Sequence, residues 1–378
     1  MARHLQRPGR GHGPGGGRGQ RAGGHRPQAR VRGRAGRGAT LPSNIETSLG
    51  FLVIVIAVAV IFDFANGFND AANAIATVVS TRVLTPVVAV LMAASLNFAG
   101  AFSGTAVAKV VGAGVVASDA ITLTTVAAGV AAAAVWVILA TRVGLPISGS
   151  HSLVAGVAGA GVATGGFDAL VSSGVTKILL GLALAPVVGF VGGYVLMLGL
   201  YWLFRRTSPA AVSGLFGRLQ MVSAAAMAFS HGSNDAQKTM GVIALALATH
   251  YKWAQAGIPF HIPVWVILLS GTVMALGTYA GGWNVVRTLG VRIVQMRPVN
   301  GFAAESAAAS VIESASRLGF PLSTTHVITS TIMGQGSTRR LSAVRWGVAR
   351  GIVIAWIVTF PFCALLGAGL FKLLDILI

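Results

Sequence analysis

Apolar segments, several of them long enough to cross a lipid bilayer, follow one another through most of this chain. Only 10% of its 378 residues are charged, whereas a soluble globular domain carries about 25% charged residues. A membrane-spanning helix needs about 20 mostly apolar residues, and we therefore predict an all-α polytopic membrane protein with roughly 10–12 membrane segments. The apolar segments run approximately over residues 49–65, 83–103, 120–141, 150–165, 176–204, 219–247, 263–283, 300–318, 322–335 and 350–378.

The formal net charge of +19 is concentrated at the N-terminus, where residues 1–40 hold ten arginines, twelve glycines and no carboxylate. Such a composition cannot bury an apolar core, so we predict a disordered Arg/Gly-rich tail over residues 1–44. An RGG-like tail can bind RNA or anionic lipid through phosphates. We expect instead an inert extension, or upstream sequence that is not translated, because Glu46 begins a hydrophobic span. No nucleic acid is expected to bind the transmembrane body.

A basic segment near the middle of the remaining chain predicts its topology. Residues 205–209 read Arg-Arg-Thr-Ser-Pro and are followed by Arg218. Short basic loops stay in the cytoplasm, so we place this linker inside and the segment that begins at Glu46 outside. The predicted organisation is a first transmembrane repeat over residues 45–205, a cytoplasmic linker over 206–218 and a second repeat over 219–378.

Two polar motifs occur twice, in the same order and at nearly the same spacing. Residues 62–73 and 227–238 share a Gly-x-Asn-Asp-Ala core at an offset of 165. Residues 144–151 and 319–326 share the pattern Gly-apolar-Pro-apolar-Ser-x-Ser/Thr-His at an offset of 175. We infer two homologous halves. Weak internal symmetry with interrupted hydrophobic segments at matching positions is the sequence sign of a secondary transporter.

The first repeated motif predicts a polar stripe on a helix in each half. Positions i, i+3, i+4 and i+7 share one helix face, and polar groups at membrane depth are costly unless they pair or face a cavity. The glycine before each Asn-Asp pair offers a place for the helix to unwind and present carbonyls to Na⁺ or a carried proton. The alternative is a polar helix–helix contact. The two stripes are Asn66, Asn69, Asp70 and Asn73, and His231, Asn234, Asp235 and Lys238.

The second repeated motif predicts a helix N-terminus within the membrane. Its proline permits a sharp reversal, after which Ser148 or Ser150 caps the next helix in the first half, and Ser323 or Thr325 in the second. A buried helix N-terminus with hydroxyl groups binds anions such as phosphate or carboxylate. The alternative is simple capping, with the histidine of each motif as an ordinary core residue.

Three further charges in apolar surroundings have two interpretations each. Asp63 either accepts a proton or pairs with a basic neighbour, and Ala228 stands at its equivalent position. Glu305 lies in a small-residue pattern and allows the same two interpretations. Lys238 belongs to a polar stripe, so it can attract an anion directly or through water.

At these motifs the sequence resembles the inorganic phosphate transporter (PiT) family. Residues 62–74 and 229–241 resemble the two family signatures, and the Pro-Ser-His segments and residues 301–305 match in order and spacing. The resemblance covers roughly residues 45–378. It implies two inverted-topology repeats with broken helices and re-entrant helical hairpins that meet at the midplane. It also implies cation-coupled phosphate symport, a plasma-membrane location and commonly a homodimer. The short central loop is that of compact bacterial members.

The resemblance assigns roles to individual residues of this chain. The cation-coupling residues are Asn69, Asp70, Asn73, Asn234 and Asp235. Of these, Asn69, Asp70, Asn234 and Asp235 are the candidate ligands of a Na⁺ ion. The phosphate-binding residues are Ser148, Gly149, Ser150, Ser323, Thr324, Thr325 and Lys238. The candidate proton or gating residues are Asp63, His151, His231, Glu305 and His326. We expect no cofactor besides the coupling ion, Na⁺ or H⁺.

Other functions remain open at this point. An intramembrane hydrolase would use Ser148 or Ser323 as a nucleophile with a histidine base and an aspartate, but a Gly-x-Ser-x-Gly elbow is absent. An anion channel would use the same helix N-termini without needing the aspartates. A sulfate permease of the same family is the main alternative to phosphate transport. The sequence leaves open the coupling ion, its stoichiometry, the affinity, the oligomeric state and whether the anion travels as a metal complex.

Overall fold

The computed structural model describes residues 48–116 and 121–378, so the predicted tail lies outside the described residues. The described part is helical and contains no strand, apart from one isolated β-bridge between Val116 and Leu170. Its helices are α1 Leu49–Ser80, α2 Pro86–Gly100, α3 Ala106–Ala113, α4 Leu123–Arg142, α5 Gly149–Gly165, α6 Ser172–Leu203, α7 Pro209–His250, α8 Val264–Ala280, α9 Trp283–Arg287, α10 Pro298–Arg317, α11 Thr324–Ser337 and α12 Trp346–Leu377. The predicted all-α class is confirmed.

Five of these helices are long and apolar enough to span a membrane alone, namely α1, α4, α6, α7 and α12. A sixth span forms if α8 is joined to the segment Trp283–Arg292, which is bent from it by 63°. The predicted 10–12 membrane segments correspond to this architecture only when the helices that are too short or too polar to span a membrane alone are counted with the spans.

The two glycines of the Asn-Asp motifs do not break their helices, which corrects the sequence prediction. Helices α1 and α7 run without interruption through Gly67 and Gly232. A Cβ added to Gly67 would lie 2.6 Å from the carbonyl oxygen of Met274, and one added to Gly232 would lie 2.5 Å from the Cα of Asn97. Both glycines therefore let a neighbouring helix backbone approach the polar stripe closely, as small residues do in membrane proteins.

The Pro-Ser-His motifs form the turns of two helical hairpins, α4–α5 and α10–α11. Gly144 and Gly319 adopt φ values of +72° and +69°, which an L-residue with a side chain rarely adopts. Each glycine ends its helix, and the residue after it bonds back into the last helical turn, as when the Phe320 N–H donates to the Ala315 carbonyl at 2.8 Å. Ser148 and Ser323 are the N-caps of the following helices. Of the two candidates in each half, the structure thus selects the first serine.

Ser323→Ala is expected to destabilise the protein by about 1 kcal/mol, the usual effect of losing an N-cap. The Ser323 hydroxyl accepts the His326 backbone N–H at 3.2 Å in a fully buried position. Thermal unfolding of the detergent-purified protein measures the loss. The matched control is Ser310→Ala on the exposed face of α10, which should leave the melting temperature unchanged. An equal effect of both variants would contradict the capping role.

Each hairpin packs against the last helix of the opposite half. Helix α5 lies along α12, and α11 lies along α6. The closest approaches are equivalent, because Gly159 packs on the backbone of Ala364 and Gly334 on that of Phe190. Helices α6 and α12 each contain one proline, Pro186 and Pro361, a helical turn before that contact.

The central loop is shorter than the predicted linker over residues 206–218. Helix α6 ends at Leu203 and α7 begins at Pro209. The Ser208 hydroxyl accepts the Ala211 N–H, and proline is favourable in the first helical turn. Capping therefore starts the helix early, and residues 209–218 extend α7.

Candidate functional site in the membrane interior

Two aspartates from the two halves meet near one histidine. On α7, the His231 Nε2 atom lies 3.5 Å from Asp235 Oδ2 and 3.8 Å from Asp70 Oδ2 of α1. One ligand atom from each of the three residues lies within 4.8 Å of the others, and all three side chains are buried. The His231 Nδ1 atom lies 3.1 Å from Asn97 Oδ1, which orients the ring. We call these three residues the carboxylate cluster.

Asp235 has a cationic partner, whereas Asp70 has none besides His231 among the residues that the structure describes. Lys238 donates to Asp235 Oδ1 and, at 2.9 Å, to the carbonyl oxygen of Leu322. The amide of Asn66 donates to Asp235 Oδ2 at 3.4 Å. The predicted phosphate ligand Lys238 is therefore engaged with the carboxylate cluster, which places its charge between the aspartates and the second hairpin.

The turn of the second hairpin is hydrogen-bonded directly to the carboxylate cluster. The Thr324 hydroxyl donates to Asp235 Oδ2 at 3.2 Å, and the Thr325 hydroxyl donates to Asp70 Oδ1 at 2.9 Å. The amide of Asn73 donates to both hydroxyl oxygens, at 3.3 and 3.0 Å. Predicted cation ligands and predicted anion ligands are thus adjacent, and each threonine hydroxyl has its hydrogen directed at a carboxylate.

The turn of the first hairpin reaches the same region but contacts other groups. The Ser150 hydroxyl donates to the Leu322 carbonyl at 3.0 Å, which joins the two hairpin turns. Gly149 packs so closely on the amide of Asn66 that a Cβ could not fit without displacing it. The Ser148 hydroxyl accepts the His151 backbone N–H at 3.2 Å.

The asparagines next to the aspartates hold the hairpins in equivalent ways. The Asn69 amide donates to the Thr141 hydroxyl at 2.7 Å, and the Asn234 amide donates to the Ser316 hydroxyl at 2.9 Å. Each also reaches the carbonyl of the residue after the hairpin glycine, Leu145 or Phe320. These are the same contacts in both halves, as expected of a duplicated chain. Neither amide nitrogen bonds to Asp70 or Asp235 in the described structure.

Sequence reasoning missed several residues that position the site. Thr141 and Ser316 could have been found, because extending the second repeat backwards by three residues aligns them at the same offset of 175. Asn66 was placed on the stripe but not assigned a role, although its amide contacts Asp235. Asn97 gave no signal, since a lone asparagine in an apolar helix does not identify its partner.

Unpaired oxygen atoms of the two polar stripes have the chemistry that a hard cation requires. Among the described residues, four amide oxygens of the two stripes are buried and accept no hydrogen bond. Leaving a buried polar atom unpaired is costly, and carboxylate and amide oxygens are the donors that hard cations prefer. They are the Oδ1 atoms of Asn66, Asn69, Asn73 and Asn234. This set of oxygen donors therefore suits Na⁺. In the carboxylate cluster, His231 is the one nitrogen donor of the kind that transition metals prefer.

The two motif histidines stack in an aromatic contact behind the hairpin turns. The rings of His151 and His326 are 4.3 Å apart between centroids, and His326 stacks on Trp356 at 3.7 Å. The Trp356 indole donates to the Pro146 carbonyl at 3.0 Å. All four imidazole nitrogens of the pair are buried and lack a hydrogen-bond partner in the described protein. The pair therefore packs the two hairpins together, and no hydrogen bond or ion pair among the described residues joins it to the carboxylate cluster.

Asp63 and Glu305 lie outside the carboxylate cluster, each in its own polar environment. Asp63 accepts the Thr239 hydroxyl at 2.8 Å, while its Oδ2 atom is buried and unpaired. Glu305 accepts hydrogen bonds from the three side chains Thr77, Ser223 and Gln220. No basic residue forms an ion pair with either carboxylate within the described ranges. The pairing of Asp63 with a basic neighbour, one of its two interpretations, is therefore not found.

Buried carboxylates, a buried lysine and the turns of two helical hairpins meet inside an all-helical membrane chain. This arrangement is typical of a solute transporter. The model of the phosphate transporter family matches residues 66–213 and 205–367. The chain belongs to that family, and the predicted resemblance is confirmed. It is accordingly a multi-pass protein of the plasma membrane, and the hydrolase interpretation does not hold.

Relatives and a solved structure agree with this assignment. A "Probable low-affinity inorganic phosphate transporter" of Rhizobium meliloti (strain 1021) is 45% identical over 327 residues, covering 86% of this chain and 97% of the relative. A protein of the same name from Bacillus subtilis (strain 168) is 40% identical over 329 residues, with the same two coverages. A solved structure described as "The sodium-dependent phosphate transporter" is similar with a TM-score of 0.80 and 26% identity, over 87% of this chain and 100% of that one.

Proposed function

We propose that this protein imports inorganic phosphate by symport with Na⁺, by alternating access of two inverted repeats to a site between the hairpin turns. Family membership supports phosphate as the substrate. The observation that carries the coupling is the direct hydrogen bonding of Thr324 and Thr325, at a helix N-terminus, to Asp235 and Asp70. The unpaired amide oxygens favour Na⁺ over H⁺, and so does the similarity to a solved transporter that is described as sodium-dependent.

The charges of the carboxylate cluster oppose anion binding unless cations bind first. Two aspartates face one lysine at this position, and phosphate adds further negative charge. Two unit charges 4 Å apart interact by roughly 4 kcal/mol at an effective dielectric constant of 20. A phosphate beside Asp70 and Asp235 is therefore unfavourable until Na⁺ neutralises the carboxylates. This repulsion gives the anion a reason to travel with cations.

The threonine hydroxyls supply a second link between the ion and the anion. In the present arrangement each hydroxyl hydrogen is donated to a carboxylate. A cation on Asp70 or Asp235 competes for that carboxylate oxygen and frees the hydroxyl to donate to phosphate. The free N–H groups and positive dipole of the α11 N-terminus then add to its binding. The serines of the first hairpin complete the anion site from the opposite side.

Alternating access is supported by the equivalent contacts of the two halves. The hydrogen bonds of Asn69 and Asn234 match, and so do the glycine contacts of α5 and α11. Two similar halves can exchange conformations, so that a fixed midplane site opens to each side in turn. The homodimer stays a prediction from the family resemblance, which cross-linking of the protein in native membranes can test.

Uptake by proteoliposomes tests the proposed function. We expect labelled phosphate to accumulate under an inward Na⁺ gradient, to stop when the gradient is collapsed, and to exceed labelled sulfate. Accumulation driven only by a pH gradient would replace Na⁺ by H⁺ as the coupling ion. Preferential sulfate uptake would identify a sulfate permease, gradient-independent flux would indicate an anion channel, and uptake of neither anion would reject the assignment.

A further inference from the structure

We propose that five arginines at the base of the second hairpin form a binding site for phosphate-bearing polyanions, separate from the transport site. They line two adjoining cavities of about 540 and 420 Å³. Arg339 and Asn300 belong to the walls of both cavities, so the two lie side by side. We call the two cavities together the arginine basin, and its arginines are Arg205, Arg297, Arg339, Arg340 and Arg345.

The positive charge of the arginine basin is assembled from distant parts of the chain. Arg205 comes from the α6–α7 loop, Arg297 precedes α10, and the other three come from the α11–α12 loop. Within the described ranges, no carboxylate forms an ion pair with any of them. Guanidinium groups bind phosphate through two parallel hydrogen bonds, which makes arginine the preferred residue for its recognition. Uncompensated arginines around a cavity therefore favour a multivalent phosphate ligand.

The floor of the arginine basin is fixed by hydrogen bonds of the buried Asn300 side chain. The Asn300 amide donates to Gln335 at 2.8 Å, joining the start of α10 to the end of α11. The Asn300 side-chain oxygen accepts the Arg297 backbone N–H at 3.0 Å. Helix α10 begins at Pro298 beside these cavities, so its positive end adds to the arginine charge. Ordered walls reduce the conformational cost of binding a ligand.

The duplicated half provides an internal comparison. At the base of the first hairpin, Thr125 and Thr164 are hydrogen-bonded at 2.8 Å, so the two legs are also tied there. The positions equivalent to Arg297 and Arg339 at the offset of 175 are Thr122 and Thr164. Arginine thus occurs at only one of these two equivalent bases. The preference of basic loops for the cytoplasm explains the side of the membrane on which these arginines lie. It does not explain why they are grouped around two cavities.

A polyanion in the arginine basin would restrain the second hairpin. It would bridge Arg297, next to the first turn of α10, and Arg339, just beyond the end of α11. The turn joining these two helices carries Thr324 and Thr325, which contact the carboxylate cluster. Holding the legs together opposes movement of that turn, so the bound anion is expected to inhibit transport from the side of the central loop. This inhibition rests on the proposed function, whereas the binding does not.

Binding is tested with the purified full-length protein in phosphatidylcholine nanodiscs, using tripolyphosphate as the probe in calorimetry. We expect saturable binding that Arg339→Gln weakens by about tenfold or more, because hydrogen bonds between charged groups are the strong ones. The matched control is Arg206→Gln, which removes the same charge one residue from Arg205 at a position outside both cavities. If both variants weaken tripolyphosphate binding equally, the effect comes from the overall positive charge of the loops, and the proposed site is wrong.

A second arm distinguishes a soluble polyanion from a lipid headgroup. This arm uses nanodiscs that contain phosphatidylglycerol. If tripolyphosphate no longer binds, and the protein retains the lipid only when Arg339 is present, the occupant is the lipid headgroup. Undiminished tripolyphosphate binding would identify a soluble ligand. Absence of both tripolyphosphate binding and Arg339-dependent lipid retention overturns the proposal. If proteoliposomes take up no phosphate while the protein in nanodiscs binds tripolyphosphate, the proposed transport function is rejected and the proposed binding site is supported.

Discussion

Asp70→Asn is expected to abolish Na⁺-driven accumulation of phosphate while leaving the protein folded. The asparagine oxygen can still accept the Thr325 hydroxyl, so the hairpin contact is retained and only the charge is lost. Na⁺ bound without the Asp70 carboxylate would lack one partner of a buried ion pair, a loss of about 3–5 kcal/mol, and each 1.4 kcal/mol is a factor of ten in affinity. Cation affinity should thus fall by about a hundredfold or more. Labelled-Na⁺ binding and gradient-driven phosphate uptake measure the two effects.

Asp235→Asn provides the comparison for this prediction. It removes an equivalent charge but also leaves Lys238 buried without its carboxylate partner. Asp235→Asn should lose phosphate uptake and have a lower melting temperature. Asp70→Asn should lose uptake and keep its melting temperature. An Asp70→Asn protein that still concentrates phosphate would contradict the coupling role. Passive flux that survives in both variants would show that the chain works as a channel.

Gly232→Ala is expected to disrupt both stability and transport. The added methyl group would meet the backbone of Asn97 on α2, which cannot turn away as a flexible side chain could. Forcing extra atoms into a packed core costs about 1–3 kcal/mol. The displacement also moves the Asn97 side chain, whose oxygen orients His231. Thermal unfolding and phosphate uptake of the purified variant measure the two consequences.

Gly214→Ala is the matched control on the same helix, because nothing lies within 4 Å of a Cβ added there. Alanine favours helix by up to about 1 kcal/mol over glycine, so this variant should be as stable as the original protein or more stable. If Gly232→Ala behaves like Gly214→Ala, the close helix contact is not required. Such a result would also weaken the assignment of Gly67, which makes the same kind of contact.

The residues that could be predicted from sequence are those whose role depends on local spacing. The i, i+3, i+4, i+7 pattern placed Asp70 and Asn73 on one helix face, and the structure shows both contacting the second hairpin. The Gly-x-Pro-x-Ser pattern predicted the reversals of the chain and limited each cap to two candidates, of which the structure has the first. Glycine itself is ambiguous, because the same residue permits unwinding or close packing. That ambiguity is why Gly67 and Gly232 were assigned to helix breaks.

The arrangement of helices could not be predicted, because its determinants are not local. Apolar residues cover all sides of α6 and α12, so no periodic face indicates the partner. The contact of Gly334 with the Phe190 backbone joins residues that lie far apart in sequence. The pairing of Lys238 with Asp235 was within reach, since i and i+3 are neighbours on a helix. Its second bond, to Leu322, depends on where the hairpin turns.

The exchange of hairpins between the halves constrains how the chain can be assembled. Helix α5 rests on α12, which is synthesised long after it. The first hairpin must therefore remain in the bilayer without this partner until α12 has been synthesised. A chain truncated before Trp346 would leave that hairpin uncovered even though every residue of the first half is present. Synthesis of the first half alone therefore does not complete the packing of its own hairpin.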